Sequence, residues 1–415
     1  MNAGQGWRYG LMGLPLAFVA LPLYVILPNH YATVFGVPLA ALGLVLLLAR
    51  LVDALIDPLL GRWSDRLFSR GADILLARAG WACALLGVGF CLLFFPAVRG
   101  AQALLWWAGM ALLLTYAAYS FLSISHQSWG AMLGGNEAYR SRVVAWREGL
   151  GLAGVILASI APVALGLPAT AALFFVAIAA GMCAWRRAPR PAVHSAAAVD
   201  AVPVSLRLPL QRRGFRALLA VFVVNGIASA VPATLMLFFV QDRLQAPATQ
   251  APLFLGSYFV CAALAMPLWL RCVARLGLAR TWLAGMLLSV AVFVFAATLG
   301  AGDTVGFVLV CALSGVALGA DLTVPSALLA GTIAASGDAG RAEGAYFGWW
   351  NFATKLNLAL AAGLALPLLG AWGYSPGARD AQALQTLTWA YCLLPCGLKL
   401  MAAGLLYILI LRRSP

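Results

Sequence analysis

The sequence predicts an all-α membrane protein, a bundle of twelve transmembrane helices in two six-helix halves. Three observations carry that prediction. The first is composition: of 415 residues, 63% are hydrophobic and 10% charged, with a mean hydropathy of +0.94, where soluble domains carry about 25% charged residues. The second is pattern, because apolar windows of about 20 residues, the length a helix needs to cross the hydrocarbon core, recur along the chain. They are continuously apolar rather than alternating every second residue, which argues against the strands of an outer-membrane barrel. The third is charge: Lys and Arg gather in every second loop, and the odd-numbered loops hold only Arg99, Arg243 and Arg379.

The first span, near 10–30, follows MNAGQGWRYG, which lacks a basic start, short apolar core and small-residue cleavage site, so it is expected to remain in the mature protein. Pro15, Pro22 and Pro28 each remove a backbone hydrogen bond there, and a helix so interrupted can bend against a wet cavity. The second span, 37–60, contains ARLVDALIDPLLGRWSDR, which sets Arg50, Asp53 and Asp57 in an apolar run. The third lies near 73–95. In the fourth, 103–130, Tyr116, Ser120, Ser123 and Gln127 follow one another at spacings of 4, 3 and 4 and make a polar stripe, suited equally to interhelical bonding and to substrate contact. The fifth, 143–165, opens with Arg147 and Glu148, and the sixth runs 168–186.

Residues 187–213, rich in Arg, Pro and small residues and containing His194, read as a cytoplasmic linker between a first bundle, 1–186, and a second, 214–415. In the second bundle the spans lie near 214–240, 250–270, 279–299, 304–332, 343–370 and 385–411. Charges inside them are few: Asp321 in the tenth, Lys355 in the eleventh and Lys399 in the twelfth, with Trp349 and Asn351 close before Lys355.

The clustering of basic residues places both termini in the cytoplasm of a bacterial-type inner membrane. It also accounts for the net charge of +14 without a nucleic-acid partner. The eight cysteines show no CxxC or Cys/His spacing, so neither disulfides nor a metal site are expected. No HExxH pattern appears, and a membrane enzyme is not expected.

Arg50, Asp53 and Asp57 stand at i, i+3 and i+7, on one side of a helix. A charge in hydrocarbon costs roughly 2.5–3.5 kcal/mol on insertion scales, so three together call for a use. Two carboxylates a turn apart repel, and either take up a proton or hold a cation between them. Lys355 needs a carboxylate partner at its depth, for which Asp53 or Asp57 is the natural candidate. A purely structural ion cluster is the alternative reading.

Two six-helix halves joined by a basic loop are the layout of the major facilitator fold. Gly61, Asp65 and Arg66 resemble the G-x-x-x-D-R core of that superfamily's loop signature, in which the Gly permits close helix packing and the Asp accepts bonds near a helix terminus. RLVDALIDP followed by GRWSDR, Arg147 before EGLGLAG, and R-x-E-G-A-Y-F-G-x-x-N-F-x-x-K together resemble the glycoside–pentoside–hexuronide:cation symporter family. The resemblance implies a cation site at Asp53 and Asp57 with Arg50 and Lys355 beside it, and a sugar-side role for Arg147. It implies no cofactor beyond the coupling ion, H⁺ or Na⁺. Tyr9 and Gly10 match the family's opening Tyr-Gly.

The chain departs from the sugar-transporting members at Ala17 and Ser120, where they carry aspartates, and at Ile124, where they carry an aromatic platform. Ile56 and Ala117 thin the oxygen ligands, which favours H⁺ over Na⁺. The reading is therefore a monomeric symporter of a small solute, a sugar or glycoside. Tyr116, Ser120, Ser123, Gln127, Arg147, Asp321, Trp349 and Asn351 are its candidate substrate contacts. A lipid or lysolipid carrier of the same fold is the alternative, and a polytopic membrane enzyme or a non-transporting sensor stands further off.

Overall fold

In a computed structural model of the protein, residues 1–191 and 205–413 are described. Residues 192–204, with His194 and most of the expected linker, lie outside them. The described residues are helical and contain no strand. The long helical runs are α1 (Ala3–Thr33), α2 (Leu39–Arg70), α3 (Ala72–Phe94) and α4 (Ala101–Met132). The run Glu137–Arg186 follows. It is two helices, because Gly166 turns to φ 79°, a backbone that L side chains rarely adopt. We name these α5 (137–165) and α6 (167–186). Beyond the linker come α7 (Arg213–Arg243), α8 (Ala251–Leu276), α9 (Leu278–Ala296), α10 (Thr304–Ala335), α11 (Glu343–Ala371) and α12 (Ala381–Leu409).

Most of these are long and apolar enough to cross a membrane. Their outward residues are large and apolar, Trp81, Trp106, Met110, Val163 and Leu264 among them, as expected where lipid replaces water. Helix α1 is interrupted in the region of its prolines. The helix breaks after Gly10, restarts at Gly13, and widens to a π turn over Pro22–Ile26. Similar π turns end α7 at Phe239–Arg243 and open into Pro395 on α12 at Trp389–Leu393.

The chain folds as two compact units. One comprises Met1–Gln211 with Ile333–Phe352, the other Arg212–Thr332 with Ala353–Pro415. Helix α11 therefore starts in the first unit and ends in the second. The first unit buries a continuous aromatic and aliphatic core around Phe18, Phe90, Phe94, Phe174 and Trp185. The described ends of the linker are pinned to the same unit. Arg190 forms a bidentate pair with Asp73 at 2.7 and 2.8 Å, Trp129 donates to the Pro189 carbonyl at 2.9 Å, and Trp349 donates to the Leu206 carbonyl at 2.8 Å.

The second unit packs Phe239, Phe254, Phe307 and Tyr391 together, with Phe239 and Tyr391 stacked at 4.2 Å. Its loop between α11 and α12 is tied down by Asp242, which accepts from the Tyr374 hydroxyl at 2.5 Å and the Gly377 amide at 2.9 Å. Burial and this carboxylate both push the Tyr374 phenol well above its usual range.

Candidate functional site

Helix α2 is inverted relative to a water-soluble amphipathic helix. Its buried residues include Ala49, Asp53, Asp57, Gly61, Ser64 and Asp65, a stripe of small and charged side chains at helical spacing. Its exposed residues include Leu44, Leu48, Leu51, Leu55 and Leu59. Lipid-facing bulk on one side and chemistry on the other is how a membrane helix carries two carboxylates at 1% and 0% exposure.

Ser120 on α4 donates to Asp53 Oδ1 at 2.8 Å, and Ser125, further along α4, bonds Ser64, further along α2, at 2.9 Å. Hydroxyls of α4 thus line up with the polar stripe of α2. Arg50 lies over the Tyr24 ring, 4.4 Å from its centroid, and Tyr24 lies against Tyr116 at 6.1 Å. Further along α4, Gln127 donates to Ser123 Oγ at 2.9 Å and to Asn351 Oδ1 on α11 at 3.3 Å.

Asp65 is buried, and its two carboxylate oxygens accept from the amides of Gly344 and Ala345 at 2.6 and 2.8 Å. These are orphan donors of the first turn of α11, so Asp65 caps that helix from another element and lies at the positive end of its dipole. The backbones must come close for this. A Cβ on Gly61 would meet the Gly344 carbonyl, and one on Gly348 would meet the backbone of Asp57 and Pro58. Arg66 is exposed beside them.

Arg147 pairs with its neighbour Glu148, and the two side chains are 11% and 25% exposed. Trp349 faces the linker end through Leu206, away from the Gln127–Asn351 bond. Lys355 is half-buried on α11, one turn past Asn351, in the second unit.

In that unit Asp321 of α10 and Lys399 of α12 form an ion pair at 2.7 Å. Asp321 Oδ1 accepts from Trp282 at 2.8 Å and Asn225 at 3.2 Å, and Lys399 also donates to Ser229 at 2.9 Å. The sequence offered Asp321 as a candidate contact and Lys399 without a role, since the partners that join them come from three other helices.

Sequence reasoning missed His126. This fully buried side chain stacks on Tyr9 at 4.4 Å, its Nε2 donates to the Tyr9 carbonyl at 2.8 Å, and the Tyr9 hydroxyl donates back to the His126 carbonyl at 3.0 Å. The only available signal was a histidine within an apolar helix, next to Gln127. Among the described residues no group of His, Cys, Asp and Glu is arranged to hold a metal ion.

The family model for MFS/sugar transport proteins matches residues 8–413 of this chain. The chain belongs to that family. This MFS/sugar transport chain is 27% identical over 154 residues to a protein of Escherichia coli (strain K12) described as "Putative glycoside/cation symporter YagG". The match spans 36% of the chain and a third of that relative's length, 33%. Among solved structures, the family member is similar to a bacterial homologue of the iron transporter ferroportin in its outward-facing state, with a TM-score of 0.73, 16% identity and 99% of each chain covered. It is also similar to the Escherichia coli fucose:proton symporter, with a TM-score of 0.68, 16% identity and 98% of each chain covered. The human organic anion transporter MFSD10 gives a TM-score of 0.67 at 18% identity, over 98% of this chain and all of that one, 100%. At such identities the likeness is one of fold; with the family match it bears out the major facilitator fold expected from the sequence.

Proposed function

We propose that the chain is a cation-coupled secondary symporter that moves a small solute, a sugar or glycoside, by alternating access. The observation that carries this reading is the buried Asp53–Asp57 stripe on α2, with Ser120 donating to Asp53 inside a helix whose other side faces lipid. Two acids one turn apart repel unless a proton or cation neutralises at least one of them. In this reading the coupling ion neutralises the pair, the neutral form binds solute, and the loaded protein then reorients. The description of the Escherichia coli relative as a glycoside/cation symporter supports the same class.

Arg50 and Lys355 serve the cation site, and Tyr116, Ser123, Gln127, Arg147, Asn351 and Trp349 are the proposed solute contacts; Asp321, held by Lys399, Trp282 and Asn225, is not among them. Ile56 and Ala117 supply no side-chain oxygen where the family binds Na⁺, so H⁺ is the proposed ion. Gly61, Asp65 and Arg66 hold one conformation through the α2–α11 contact. The protein acts as a monomer in an inner membrane, with both termini cytoplasmic and no cofactor.

Proteoliposomes carrying an imposed pH or Na⁺ gradient test this with a panel of labelled monosaccharides, glycosides and a lysophospholipid. The expected outcome is gradient-driven accumulation of a sugar or glycoside. Asp53→Asn and Asp57→Asn each reduce it at least tenfold while leaving the protein folded. Accumulation indifferent to both substitutions refutes the coupling site, and accumulation of the lysophospholipid alone replaces the solute class.

A further inference from the structure

The Asp321–Lys399 pair borders a cavity of about 180 Å³ contained within the second unit. Its walls include Phe254, Tyr258, Phe293 and Tyr391, and its polar lining comprises the joined Ser229, Asp321 and Lys399 and, separately, Ser314. This lining is not fully satisfied. The ammonium has three donors, and Asp321 and Ser229 take two of them. The Ser314 hydroxyl, in a residue 7% exposed, has no hydrogen-bond partner. Buried polar groups that lack partners are costly, and such gaps are where a ligand's polar atom gains most.

The geometry points to a second ligand site here, for a neutral molecule of the phenol class: one aromatic ring bearing a hydroxyl. Each part of that description has its own warrant. Size sets one ring, since an apolar cavity of about 150 Å³ accepts benzene. The aromatic walls offer stacking and edge contacts to a flat body. Asp321 and Lys399 already balance each other at 2.7 Å, so a charged ligand would leave one of three buried charges uncompensated, whereas a neutral one disturbs nothing. A hydroxyl is a group that can either accept from the remaining Lys399 donor or exchange a hydrogen bond with Ser314. The site lies within one unit and does not depend on the Asp53–Asp57 reading.

The test uses the full chain in lipid nanodiscs, with p-cresol and toluene as probes and empty nanodiscs as the reference for partitioning. Saturable binding is read by ligand-observed NMR. The expected result is that p-cresol binds saturably and toluene at least tenfold more weakly. Ser314→Ala weakens p-cresol several-fold. Ala233→Phe, at an exposed residue bordering the cavity, abolishes binding without disturbing the packed core. Binding no greater than in empty nanodiscs, equal affinity for toluene, or binding unchanged by Ala233→Phe overturns the site. So does a co-purified acyl chain, seen by native mass spectrometry in the wild type and absent from Ala233→Phe, that p-cresol fails to displace.

Discussion

Ser120 shows how one hydroxyl bears on a buried acid. It donates to Asp53 from a helix 67 residues away in sequence, and a hydrogen bond to a charged group contributes about 1.5–3 kcal/mol. Ser120→Ala is therefore expected to cut gradient-driven accumulation about tenfold, with Ser120→Thr restoring most of it; a loss equal in both variants would mean that volume matters and the donor does not. The residues carrying charge were legible in the sequence because a charge in an apolar run is costly and stands out. Their partners were not. Asp321 meets Lys399 across 78 residues, and Tyr9 meets His126 across 117, pairings that no local spacing encodes. Ser120 was legible as part of a stripe, but the stripe does not act as one: Ser120 serves Asp53, while Ser123 and Gln127 serve each other and Asn351.

At the scale of elements, the crossing of α2 and α11 rests on small residues that bring two backbones together, and Asp65 closes it by capping α11. Gly61→Val places methyl groups against the Gly344 carbonyl and is expected to destabilise the fold by about 1–3 kcal/mol, the usual cost of overpacking. Gly43→Val, on the same helix but in open space, is the control and is expected to leave the melting temperature within experimental error. Thermal melts of the two purified variants decide the matter, and equal melting points would remove the close contact from the account. The G-x-x-x-D-R pattern made Gly61 and Asp65 visible in advance. Gly344 and Gly348 were visible only as letters of the pattern R-x-E-G-A-Y-F-G, because a helix rich in glycine gives no hint of which glycine meets a neighbour. The interruptions of α1 were readable from its prolines, and Pro395 marks the π turn of α12, but the π turn of α7 carries no comparable mark.

For the whole molecule, the twelve spans were legible because hydrocarbon thickness imposes a length that apolar runs must meet. The orientation proposed from charge asymmetry is checked by impermeant thiol labelling of right-side-out vesicles. Ala301→Cys, exposed between α9 and α10, is expected to react from outside, and Arg275→Cys, exposed at the end of α8, only after permeabilisation. The opposite pattern inverts the topology. What the sequence could not display is the membership of Ile333–Phe352, which follows the linker along the chain yet packs with the residues before it.

That borrowed segment bears on how the gene can be divided. A cut at the linker would encode one product missing a piece of its own interior and another burdened with a strand of chain that belongs elsewhere. Neither fragment is expected to mature alone, and each should rescue the other when both are made in the same cell.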